Sequence, residues 1–139
     1  QWFAPALREL LRSRAHRPDL AINLNGHTTE DLMHVLVTRV SSYAGVLSLP
    51  DAIDIEDDRL HVIGFRRAPL WKFAPRIFRS LRRRLRLEDL DYYAATTDPV
   101  TISSCRSEPC HVDGDDRGDL PPTVRLTERR VELVVPKPK

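Results

Sequence analysis

The sequence predicts a mainly β fold, an antiparallel β-sandwich carrying one or two helices. Three observations point there. Apolar residues alternate with others over short stretches, as in Leu20, Ile22 and Leu24 or Val131, Leu133 and Val135, which is the two-residue period of a strand with one buried face. Eleven prolines, with pairs such as Pro121-Pro122, cut the chain into short elements and disfavour long helices. The 139 residues suffice for one core and not two, because a chain of this size buries roughly two-thirds of its unfolded surface around a single apolar centre.

In chain order, Phe3, Leu7, Leu10 and Leu11 stand at helical spacing and predict a short amphipathic helix. Leu20 to Leu24 alternates as a strand, and Asn25-Gly26 is a residue pair that tolerates positive φ in a tight hairpin turn. A strand returns through Thr28. His34 to Val40 is rich in β-branched residues and predicts a central strand; Ser41 to Gly45 reads as a loop. The acidic turn Glu56-Asp57-Asp58 introduces a strand over Leu60 to Phe65. Between Pro69 and Arg86, Leu70, Phe73, Ala74, Ile77, Phe78, Leu81 and Leu85 follow a 3.6-residue period, so a helix is expected over 70–86, with Pro75 accommodated in its first turn. Tyr92 to Ser103 reads as a strand interrupted at Pro99. Cys110 to Val112 enters a glycine-containing turn, and Val124 to Leu126 is expected to pair with Val131 to Val135.

Composition excludes several classes. Hydrophobic content of 41% with a net charge of +2 does not describe a disordered chain, and no run of about 18 apolar residues exists to span a bilayer. Nothing at Gln1 resembles a signal peptide. Cys105 and Cys110 have no second cysteine pair with which to build a zinc site; two free thiols and a reducing, cytoplasmic compartment are expected. No glycine-rich phosphate cradle occurs, so a nucleotide must be bound elsewhere. No RNA-recognition or zinc-finger pattern occurs, and no nucleic-acid partner is expected.

The small net charge conceals a strong asymmetry. Residues 66–86 hold nine of the 22 bases and none of the 20 acids, leaving 13 bases against 20 acids elsewhere. The basic stretch is compatible with core packing under a solvated charged face, with an anionic membrane surface, or with phosphate binding. Asp51, Asp54, Glu56, Asp57 and Asp58 crowd hard oxygen donors onto one turn, which suits either a solvated hairpin turn or Mg²⁺ or Ca²⁺. Asp113-Gly114-Asp115 is a common turn composition, and on such a turn a carboxylate can also act as general base.

The order of these pieces resembles the C-terminal half of the diacylglycerol kinase-like lipid kinases, a family that includes sphingosine kinases and the bacterial YegS-type enzymes. The matching series is Val35 to Val40, Ser42-Tyr43-Ala44-Gly45, Pro50-Asp51-Ala52, Asp57-Asp58-Arg59-Leu60, the 70–86 helix, Val112-Asp113-Gly114-Asp115 and Val124 to Val135. Asp115 stands where the family has Glu, and Asp58 where it has Gly. The resemblance implies a Mg²⁺ ion at the acidic turn, held by the Asp57 carboxylate and by the main-chain carbonyls of Asp54 and Arg59. It implies a general base at Asp113 or Asp115. It also implies that residues 1–139 are the C-terminal lipid-substrate domain of a kinase phosphorylating a hydroxyl of diacylglycerol or a related lipid, with ATP bound by an N-terminal domain lying before Gln1. The fragment alone would then be inactive, and its partners would be the lipid substrate, the nucleotide-binding domain and an anionic membrane surface on which it is peripherally held. The rival expectation is a non-catalytic lipid- or membrane-binding module of a degenerate kinase.

Overall fold

The structure, a computed structural model, describes residues 19–43, 45–113, 115–119 and 122–128. The helix expected around Phe3 to Leu11 and the strand expected over Val131 to Val135 lie outside these residues. Within them the protein is mainly β. Strands β1 (Leu20–Leu24), β2 (His27–Thr38), β5 (Leu60–Arg66), β6 (Tyr92–Thr96), β7 (Val100–Ser104) and β10 (Thr123–Val124) form one antiparallel sheet in the order β10-β7-β1-β2-β5-β6. Two hairpins stand apart from it, β3 (Ser42–Tyr43) with β4 (Leu47–Ser48), and β8 (Pro109–Val112) with β9 (Asp115–Asp119). One α-helix, α1, spans Leu70–Leu81.

Chain connectivity forces the large sheet to curl. Strands β6 and β7 are four strand spacings apart in the sheet, about 19 Å if it were flat. Yet only Thr97, Asp98 and Pro99 join Thr96 to Val100, and four residue steps reach about 14 Å at most. The sheet therefore curls, and its concave side is filled by Ile22, Leu32, Leu60, Val62 and Val100, with Tyr92, Ala94, Val124 and Leu126 packed against them. Asn25 Nδ2 donates to Asp98 Oδ2 at 2.8 Å, tying the β1–β2 turn to the crossing link. Gly64 lies where a Cβ would come within 3.0 Å of Leu32 Cδ2 and 3.1 Å of Tyr92 Cβ, so the lack of a side chain permits this close approach of β2 and β6 to β5.

Strand β5 is buried on both faces. Leu60 and Val62 point to the concave core, while Ile63 and Phe65 join Leu36, Leu49, Ile53, Leu90 and Tyr93 on the convex side. This second cluster is where α1 docks. Phe73 meets Phe65 edge to face, with ring centroids 6.2 Å apart, and Ser80 Oγ donates to the Ser48 carbonyl at 2.8 Å.

Several expectations need correction. The strand through Thr28 and the strand over His34 to Val40 are one element, β2, which runs on through a bulge at Asp31 (φ 62), where the register with β1 shifts between Leu20 and Ile22; a second shift, against β5, falls between Leu32 and His34. Such a bulge adds twist and bends the strand, in the sense the curled sheet needs. The loop around Ser42 is the β3–β4 hairpin. The stretch from Tyr92 to Ser103 forms two strands on opposite sides of the sheet, the break at Pro99 being the crossing point. Among the described residues β10 pairs with β7, and the pairing expected between Val124 to Leu126 and Val131 to Val135 lies outside them. The helix ends at Leu81 rather than near 86: Arg83 adopts φ 54, and the N–H groups of Arg83 and Arg84 bond back to the carbonyls of Ser80 and Arg79. This is the reversal that usually employs glycine. Pro75 is the sixth helical residue, past the first turn, and sits on the exposed side, where the N–H it lacks leaves a carbonyl facing water rather than the core.

One convex-side group is tuned by this packing. His34 pairs across the ladder with Phe65, its Nε2 is buried without a hydrogen-bond partner, and burial lowers its pKa below 6.5. The unfolded chain then binds the proton more readily than the folded one. Stability from neutral His34 is present above pH 6.5 and is lost as the pH falls through the window below it. Thermal melts should therefore show a falling Tm between about pH 7 and pH 5, and His34→Leu should flatten that fall; an unchanged pH profile in the variant would assign the effect to other groups.

Candidate functional site

Three places carry the chemistry expected from the sequence. The first is the acidic turn between β4 and β5. Buried Ile53 anchors it, its N–H bonding the Pro50 carbonyl at 3.0 Å. Asp54 then organises the turn: Oδ1 accepts the Glu56 N–H at 2.9 Å, and its carbonyl accepts the Asp57 N–H at 3.2 Å. Asp57 Oδ1 lies 3.4 Å from Arg59 Nε. The guanidinium of Arg39, arriving from the end of β2, donates through Nη2 to the carbonyls of Ile55 (3.1 Å) and Asp57 (2.9 Å) and sits 3.5 Å from Asp58 Oδ1. Sequence reasoning did not single out Arg39, whose partners lie 16 to 19 residues away. Among the described residues no group of three or more His, Cys, Asp and Glu side chains is placed to hold a metal.

Near this turn lies a buried polar pair. His61 Nδ1 and the Tyr93 hydroxyl are 2.9 Å apart, and His61 Nε2 has no partner. Burial first, and then the charge of Asp57, push the Tyr93 hydroxyl above its ordinary pKa, with Arg59 opposing.

The second place is the β8–β9 hairpin. Val112 pairs with Asp115 across it, and Asp113 takes φ 53, a left-handed conformation that Asp tolerates better than most residues. Both Asp113 and Asp115 are exposed. No hydrogen bond or ion pair among the described residues joins either carboxylate to the acidic turn.

The third place is α1 and the segment after it. Among the described residues acids meet Arg76, Arg79 and Arg86. Arg76 grips Asp91 with both terminal nitrogens, at 2.7 and 2.8 Å, Arg79 pairs with buried Asp89, and Arg86 lies 3.3 Å from Glu88. Lys72, Arg82, Arg83 and Arg84 form no ion pair among the described residues. The apolar stripe is also wider than the core requires. Phe73, Ile77 and Ser80 face inward, whereas Trp71 (71% exposed), Ala74, Pro75, Phe78 (52%) and Leu81 (42%) make a solvent-facing stripe. Lys72 lies over the Trp71 ring and Arg82 over Phe78, 4.0 Å from its centroid. Cys105 and Cys110 are free thiols, as expected. No described helix is long and apolar enough to cross a membrane.

These features define the fold class, a curled antiparallel sheet with a helix on its convex side, and it is the fold of part of the diacylglycerol kinase structures. A crystal structure of a diacylglycerol kinase from Bacillus anthracis superposes with TM-score 0.65 at 18% identity, covering 84% of this chain and 41% of that one. Two further diacylglycerol kinase structures from the same species give TM-scores of 0.65 and 0.61 at 17% and 16% identity, covering 81% and 84% of this chain and 37% and 41% of theirs. The chain thus spans about two-fifths of the length of these relatives. No protein-family model matches the sequence, and no curated protein matches it.

Proposed function

We propose that this chain is the lipid-substrate half of an ATP-dependent lipid kinase of the diacylglycerol kinase type. The observation that carries the reading is the superposition of 84% of the chain on a diacylglycerol kinase, over 41% of that kinase's length. In this reading residues 1–139 form the C-terminal domain, the curled sheet contributes the acceptor side, and Asp113 or Asp115 orients or deprotonates the acceptor hydroxyl. ATP and its Mg²⁺ belong to the N-terminal nucleotide-binding domain; phosphoryl transfer is chiefly positioning and charge neutralisation, so this half alone turns over no lipid. Helix α1 meets an anionic bilayer with its exposed aromatic stripe, while Lys72 and Arg82 to Arg84 face the headgroups.

Asp113→Asn and Asp115→Asn, made in the two-domain protein, test the catalytic assignment. A lost general base typically costs about 10²- to 10⁴-fold in rate, and one of the two variants should show a loss of that order in ATP-dependent diacylglycerol phosphorylation. Undiminished activity in both would leave Asp113-Gly114-Asp115 as a turn and nothing more. A second reading, a non-catalytic lipid-binding module, is favoured by one observation: both carboxylates lie exposed on a hairpin separate from the main sheet, whereas the lipid-facing features of α1 need no catalytic partner.

A further inference from the structure

The geometry of the acidic turn disagrees with the metal ion that the family resemblance implies, and the disagreement is specific. The resemblance implies an ion on the Asp57 carboxylate and the carbonyls of Asp54 and Arg59, whereas Arg39 engages the neighbouring carbonyls of Ile55 and Asp57 and so sets its positive charge beside that position. Here the Asp54 carbonyl already accepts the Asp57 N–H at 3.2 Å, the Asp57 carboxylate faces Arg59 Nε at 3.4 Å, and the carbonyls of Ile55 and Asp57 converge on Arg39 Nη2 at 3.1 and 2.9 Å. Asp58 completes the set at 3.5 Å. Two carbonyls and a carboxylate directed at one point are a cation-binding arrangement, and the point is filled by a guanidinium nitrogen. Mg²⁺ requires oxygens at about 2.1 Å and Ca²⁺ at about 2.4 Å; either ion on these carbonyls would overlap Arg39 and be repelled by it.

We propose that Arg39 is the resident cation of this turn, fastening residues 55–58 to the end of β2 where a divalent ion would otherwise do so, and that the turn binds no Mg²⁺ or Ca²⁺ while Arg39 is in place. Arginine suits the task because it remains charged at every accessible pH and presents several donors in a fixed plane. The inference does not depend on the lipid-kinase reading, since it concerns only how the turn is held.

Thermal unfolding of the purified protein, in EDTA and in millimolar Mg²⁺ or Ca²⁺ at matched ionic strength, tests it. The wild-type Tm should not respond to either ion. Arg39→Met keeps the aliphatic stem and removes the donors; its Tm should fall by about 5 °C and recover in part when Ca²⁺ is added. Should that variant not fold, Arg39→Lys retains a charge at the same place and should stay insensitive to both ions. The proposal is overturned by a wild-type Tm that rises with Mg²⁺ or Ca²⁺ and loses the rise in Asp57→Asn. It is equally overturned by an Arg39→Met variant that melts at the wild-type temperature, or that is destabilised yet gains nothing from Ca²⁺, or by an Arg39→Lys variant that responds to either ion.

Discussion

Replacing Trp71 and Phe78 together by serine is expected to weaken binding to anionic vesicles by about 100-fold while leaving the fold intact. The estimate follows from burial. Each ring contributes about 1.5 kcal/mol or more when moved from water into an apolar environment, and two such losses amount to about two decades in a partition constant. Both side chains are more than half exposed, so little packing energy is lost on the protein side; Phe78 gives up its contact with Arg82. The basic residues add a second, separable component. Each Lys or Arg near an anionic surface is worth about 1 kcal/mol, and that part is screened by salt. Vesicle sedimentation at two ionic strengths should therefore show binding that falls with salt in the wild type and a further, salt-independent loss in the double variant. Equal binding of the wild type and the variant at both ionic strengths would remove α1 from the membrane surface.

Asp91→Ala is expected to lower stability by about 3 kcal/mol, the range for breaking a partly buried, charge-assisted network, and to lower Tm by about 10 °C. Asp91 accepts two hydrogen bonds from Arg76 and one from the Arg66 N–H, at 3.0 Å, so it joins α1, the end of β5 and the start of β6. Burial pushes the Asp91 carboxyl upward, but the hydrogen bonds and charges of Arg76 and Arg66 together outweigh it and hold the pKa below 3.8. Its stabilisation is thus fully present above pH 3.8 and disappears as the pH falls through the folded-state value. Asp91→Asn and Arg76→Met should each lose part of the 3 kcal/mol, and the double variant should lose less than their sum, because both remove the same pair. Strict additivity in urea unfolding would mean that the pair contributes nothing as a pair.

Parts of this structure can be read directly from residues in sequence. The alternation of Leu20, Ile22 and Leu24 forms β1, and Asn25-Gly26 makes its turn with both residues at positive φ, because these features depend only on a residue and its immediate neighbours. The start of α1 after Pro69 and the β8–β9 hairpin around Asp113 belong to the same group. The bulge at Asp31 and the reversal at Arg83 left no such mark, since neither uses the glycine that ordinarily signals positive φ. Asp tolerates that conformation better than most residues, and at Arg83 the main-chain bonds of Arg83 and Arg84 back to Ser80 and Arg79 hold it.

The candidate sites divide along the same line. Which residues could serve as acids, bases or apolar anchors follows from composition and spacing, and so does the concentration of bases between Arg66 and Arg86. Whether those charges are free follows only from tertiary contacts. Asp89 and Asp91 neutralise Arg79 and Arg76 after the chain turns back beneath α1. Arg39 reaches the acidic turn only because β2 and β5 pair and bring the end of one strand beside the approach to the other. Local sequence determines backbone preference and the inventory of charges. Long-range pairing decides which charges meet, because a Coulomb or hydrogen-bond partner is selected by distance in space and not by separation along the chain.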